Sequence, residues 1–140
     1  MMRMTRRVMM PALAILALAG CMPALGGGSA LPTAFLGSWE GRGTQSDQPG
    51  DWSIAANIMG GPLGGIVGTI EYPSLGCGGS LRVRVVAPGT MELAERITSG
   101  DCVDGGIITL TTLDDGRLRY DWRKDGETLT AEGMLSRVRS

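Results

Sequence analysis

From Ser38 onward the chain alternates apolar and polar residues in short stretches, and clusters of Gly, Pro, Asp and Asn interrupt the alternation about every twelve residues. This pattern predicts eight strands, over residues 38–45, 52–59, 65–73, 80–87, 90–98, 106–113, 117–123 and 128–137. Gly60-Gly61-Pro62, Ala87-Pro88-Gly89, Asp114-Asp115-Gly116 and Lys124-Asp125-Gly126 punctuate them. No stretch offers ten residues of helical period. Short links between successive strands make an antiparallel meander, and a meander of eight strands removes its exposed edges by closing on itself. The expected fold class is therefore all-β, an eight-stranded antiparallel up-and-down barrel. A two-sheet sandwich is the alternative.

Residues two apart on a strand share a face, which sorts the side chains. One face collects Ile54, Ala56 and Ile58; Ile66, Gly68, Ile70 and Tyr72; Leu81, Val83 and Val85; Met91, Leu93 and Ile97; Leu118, Tyr120 and Trp122; and Leu129, Ala131, Gly133 and Leu135. The opposite face holds Glu71, Arg82, Arg84, Glu92, Arg96, Arg119, Asp121 and Glu132. The apolar set is expected inside. The sixth strand is ambiguous in phase, with Ile108 and Leu110 favoured inside.

Ahead of the strands the chain is organised differently. Three arginines, Arg3, Arg6 and Arg7, precede an apolar run of thirteen residues from Val8 to Gly20. The run is short of the roughly 20 residues that span a bilayer, and Pro11 interrupts it, so the layout is that of an export signal. Leu18-Ala19-Gly20-Cys21 resembles the bacterial lipobox, in which small residues admit the signal peptidase and the cysteine sulfur carries diacylglycerol. The resemblance implies that residues 1–20 are cleaved and that Cys21 is the lipidated first residue, holding the protein to a membrane through its acyl chains. Met22, rather than aspartate, follows the cysteine; by resemblance to lipoproteins of double-membraned bacteria this implies the outer membrane, facing the periplasm. Residues 22–34 are small, uncharged and rich in Gly and Pro, as suits a flexible tether, and the folded unit is expected over residues 35–140.

Cleavage changes the charge. Loss of the three arginines leaves ten basic residues against fourteen acids, a net charge of −4, and five of the nine methionines leave with the signal. Such a chain lacks the clustered Lys and Arg that nucleic acid requires. With Cys21 lipidated, Cys77 and Cys102 remain as a pair in an oxidising compartment and are expected to form a disulfide. Closing a loop of about 25 residues is worth roughly 3–4 kcal/mol in the chain-entropy account.

Gly37-Ser38-Trp39 opens the first strand and Arg137 closes the last, which resembles the pattern of lipocalins and the wider calycin group. The resemblance implies that Trp39 plugs one end of the barrel and that Arg137 packs across its ring. Tyr72 to Leu81, read as Tyr-Pro-x-Leu-x-Cys-Gly-Gly-x-Leu, is also similar to a segment of small bacterial envelope domains.

At the opposite end Gln45, Trp52, Tyr72, Glu95 and Trp122 share the inward phase. Glu95 stands out, because a carboxylate in the apolar row of Met91, Leu93 and Ile97 is costly unless paired or wet. Two arrangements satisfy that row. One is a small open pocket with aromatic walls and a polar hook. The other is a filled core capped by the aromatics, with Glu95 met by a backbone donor or a rim arginine.

The chain contains no histidine, which removes Ser-His and Cys-His nucleophile systems and the commonest metal ligand. Asp114, Asp115 and Asp125 sit in turns, where aspartate has a backbone role. Residues 101–105 lack the ligand spacing of a recognised calcium loop, and the Gly-rich stretches are not followed by the Gly-Lys-Ser/Thr of a phosphate cradle. The sequence thus argues for a non-enzymatic protein without cofactor or metal. Two classes stay open: a lipocalin-like binding module for a small apolar or amphipathic ligand, and a module that faces an envelope protein, such as a protease or lysozyme inhibitor presenting residues 43–51 and 73–80, or a structural lipoprotein.

Overall fold

The computed structural model describes residues 31–139, so the expected export signal, Cys21 and the expected tether up to residue 30 lie outside it. The strands are β1 (Gly37–Gln45), β2 (Gln48–Ile58), β3 (Ile66–Tyr72), β4 (Cys77–Ala87), β5 (Thr90–Ser99), β6 (Ile107–Thr112), β7 (Leu118–Arg123) and β8 (Thr130–Arg137). Each pairs antiparallel with its neighbour in sequence, and β1 pairs with β8 from Trp39↔Arg137 to Gln45↔Ala131. That last ladder closes the barrel and decides against a sandwich. Every strand has two partners, and residues 31–139 carry the described hydrophobic core and the disulfide.

Alternation supplies the core. Ile54 and Ile58 from β2, Ile70 from β3, Leu81 and Val83 from β4, Met91 and Leu93 from β5, Ile108 and Leu110 from β6, Leu118 and Tyr120 from β7 and Leu135 from β8 are all buried. Two assignments from the simple alternation are wrong. Ile66 and Val85 are 57% and 50% exposed, while Val67 is fully buried and Val86 packs partly buried against the core. The ladder shifts register between Ile66 and Gly68 and between Val83 and Val85. A bulge sets two residues opposite one, and every side chain beyond it changes face.

The turns after β2, β4 and β6 lie at the end where β1 begins, and this end is closed. Leu31 is buried and Thr33–Phe35 forms a single 3₁₀ turn beside the β4–β5 connection. The ordered unit therefore begins ahead of Phe35: part of the segment read as tether is held down by the apolar contacts of Leu31 and by Arg137, which donates to the carbonyls of Leu36 and Ala34. Trp39 is 1% exposed and donates its indole N–H to Phe35 O at 3.0 Å. The Arg137 guanidinium lies 4.4 Å from the Trp39 ring centroid. Gly37 makes room for this arrangement, since it adopts φ +118° and a Cβ there would meet Arg137 Nη1 at 2.6 Å.

The turns after β1, β3, β5 and β7 gather at the other end. The β1–β2 connection is a tight hairpin, with Gln45 opposite Gln48 and Arg42 bridged to Asp51, so residues 43–51 are mostly strand rather than a presenting loop. Cys77 and Cys102 are joined, with their Cα atoms 6.0 Å apart, which ties the start of β4 to the β5–β6 loop.

Candidate functional site

A cavity of about 310 Å³ occupies this second end. Its walls come from strand ends that the alternation turns inward: Trp52 on β2, Tyr72 on β3, Glu95 on β5, and Tyr120 and Trp122 on β7. Gln45, Gln48, Leu75, Asp101 and Val103 form the rim, with Leu75 and Val103 about half exposed. The five residues singled out from the sequence, Gln45, Trp52, Tyr72, Glu95 and Trp122, all line this one cavity. Gln45 takes little part in its chemistry, because its side chain donates to Asp47 at 2.7 Å in the hairpin turn.

Glu95 is 4% exposed and is the centre of the polar arrangement. Among the described residues neither a backbone donor nor an arginine holds its side chain. Trp122 Nε1 donates to Oε1 at 3.0 Å, and the Tyr72 hydroxyl donates to Oε2. The Tyr120 hydroxyl lies 2.8 Å from that of Tyr72. Tyr72 has one proton and spends it on Glu95, so Tyr120 is the donor of that second bond. The carboxylate oxygens thus receive one donor each and keep further acceptor capacity.

Burial pushes the Glu95 carboxyl above its ordinary value of 4.5, the bonds from Tyr72 and Trp122 draw it back, and the Asp104 carboxylate raises it again. Burial also pushes the Tyr72 and Tyr120 phenols up, so both stay protonated donors. Asp104 itself is held low by the backbone N–H groups of Ile97 and Gly105, which bond to its Oδ1 at 2.8 Å each. It shapes the β5–β6 loop.

Trp52 stands edge-on to Tyr72 and Tyr120, with ring centroids 5.2 and 6.2 Å away. It is 8% exposed, and its indole N–H has no hydrogen-bond partner among the described residues. A buried donor left in that condition costs about 1–3 kcal/mol. Trp122 is seated by Gly106, where a Cβ would come within 2.0 Å of Trp122 Nε1. Only glycine lets β6 begin so close to that ring.

Tyr120 was placed by its phase but not recognised as part of the site. The signal was present: it stands two residues before Trp122 on the same face, and a phenol among aliphatic neighbours needs a partner. The rim residues Leu75, Asp101 and Val103 carried no such signal, since they lie in connections where alternation is silent. No protein-family model matches the chain, and no curated protein matches it.

Proposed function

We propose that this chain is a lipid-anchored lipoprotein of a bacterial cell envelope whose barrel holds a small apolar or amphipathic molecule at its open end, without performing chemistry on it. The observation that carries the reading is the cavity itself: about 310 Å³, walled by two tryptophans and two tyrosines around one buried, hydrogen-bonded carboxyl. Binding sites for small molecules have this make-up, an apolar concave surface with a few placed polar groups. Trp52 adds a buried donor that an incoming acceptor or water would satisfy.

The anchor half of the proposal rests on Leu18-Ala19-Gly20-Cys21 and the arginine-led apolar run before it. Among the described residues no helix is long and apolar enough to cross a membrane. The chain enters the barrel at the closed end, through Leu31 and the turn Thr33–Phe35.

Each half has its own test. Radiolabelled palmitate supplied to expressing cells should label the wild-type chain and not Cys21→Ala; equal labelling of both would end the anchor reading. Residues 22–140, purified with the disulfide oxidised, are titrated with apolar dyes and an envelope-lipid extract while tryptophan fluorescence is followed. Saturable change that is lost in Trp52→Phe and Trp122→Phe supports the pocket. No saturable change in the wild type, with the fold intact, would refute it and move the search to the protein-facing class.

A further inference from the structure

Glu95 is a buried carboxyl whose surroundings supply hydrogen bonds but no positive charge. Tyr72 and Trp122 are neutral donors, and the charged group acting on Glu95 is another carboxylate, Asp104. Neutral donors orient an anion without cancelling its charge. Elsewhere the barrel pairs its charges freely: Arg42 with Asp51, Arg119 with Asp121 and Glu132, and Arg123 with Glu92 and Asp125. Among the described residues, no Lys or Arg is placed against Glu95, and none lines the cavity. The second charged residue of the lining is Asp101, again an acid, at the mouth. Trp52, Tyr72, Tyr120 and Trp122 line the same cavity as Glu95, and an aromatic face open to such a cavity attracts a cation most strongly where water is excluded.

We infer that the occupant of this cavity is an organic cation, an amine or quaternary ammonium on an apolar body, whose positive head lies among the aromatic rings against the Glu95 carboxylate. The inference rests on the pocket proposed above and specifies its ligand class. The head group supplies the charge that the protein withholds, and the free acceptor capacity on both carboxylate oxygens receives any N–H it carries. The half-exposed Leu75 and Val103 at the rim meet the apolar body. A fatty acid or other anion meets two carboxyls and no cation on entry, which sets it against the site.

Glutamine is the nearest isostere with which to separate the charge of Glu95 from its shape. Its carbonyl would accept from Trp122 and its amide would donate to the Tyr72 oxygen, while one hydroxyl proton of the Tyr72–Tyr120 pair would lose its acceptor, a cost in stability that leaves the shape in place. That substitution, which keeps the shape and removes the charge, is the basis of the test.

Residues 22–140 are titrated with benzyltrimethylammonium and with neopentylbenzene, its uncharged carbon isostere, reading tryptophan fluorescence beside an apolar dye. The wild type should bind the ammonium at least about tenfold more tightly than the isostere, and Glu95→Gln should lose that preference while still binding the dye. Equal or tighter binding of the isostere, or a preference that survives in Glu95→Gln, overturns the cation inference; if the dye still binds and Trp52→Phe abolishes it, the pocket stands. Failure of dye and both probes removes both readings. Should Glu95→Gln not fold, a pH series on the wild type decides. The preference should fall as pH is lowered through the titration of Glu95, and a preference that ignores pH overturns the inference. Of the other titratable groups facing Glu95, Tyr72 and Tyr120 stay protonated and Asp104 stays ionised on its two backbone donors across that range. Asp101→Asn removes the remaining carboxyl at the mouth.

Discussion

Each end of the barrel carries buried indole, but the two ends finish the job differently. At the closed end Trp39 has a partner for its N–H in Phe35 O, a guanidinium over its face, and the Leu31–Phe35 segment laid across it. Among the described residues no buried side-chain donor or acceptor at this end lacks a partner. At the open end Trp52 and Trp122 surround a cavity of about 310 Å³, one N–H has no partner, and a carboxyl is buried without a counter-cation among the described residues. The same residue types thus serve packing at one end and leave unmet polar and apolar demand at the other. Unmet demand in a concave site is what a ligand exploits.

Substitutions at the two ends should therefore separate stability from binding. The largest effect is expected for Trp39→Ala, about 3–5 kcal/mol by denaturant unfolding, as for other buried aromatic truncations. Next, Cys77→Ser with Cys102→Ser should cost roughly 3–4 kcal/mol by the loop-closure account and loosen the cavity rim as well. Arg137→Met, which keeps the length of the side chain but removes its charge, should cost about 0.5–2 kcal/mol and leave dye binding intact. If Arg137→Met abolished binding while the barrel stayed folded, the division between the two ends would not hold.

Glu95→Gln should have the smallest effect on folding, and its signature is a change in pH dependence. The folded-state pKa of Glu95 is raised, so the folded barrel holds this proton more tightly than the unfolded chain does. Its favourable contribution is present in full below its ordinary value of 4.5 and is lost as pH rises through the raised value. Glu95→Gln should flatten that part of the stability–pH curve. Denaturation midpoints measured from pH 4 to 8 check this, and a variant that keeps the wild-type pH slope would contradict it.

The barrel was legible because eight alternating stretches with short links have few ways to hide their edges. Alternation failed at Ile66 and Val85, where bulges insert an extra residue that no composition rule announces. Closure itself was an inference from edge avoidance, and the β1–β8 ladder turned it into an observation. At the site, phase alone gathered Trp52, Tyr72, Glu95 and Trp122. It could not tell which groups would bond to Glu95, because that depends on how far each strand is staggered past the next. The stagger brings β3 and β7 phenols within 2.8 Å of each other, a contact between residues 48 apart in sequence.

The three tryptophans of the chain offer a direct test of the contrast between the ends, because each contributes one indole N–H resonance in a nitrogen-15 NMR spectrum. Titration of residues 22–140 with benzyltrimethylammonium should shift the Trp52 and Trp122 resonances to saturation and leave Trp39, bonded to Phe35 at the far end, where it is. Three resonances that stay still would contradict a cation site at the open end, and three that move together would contradict the contrast between the two ends.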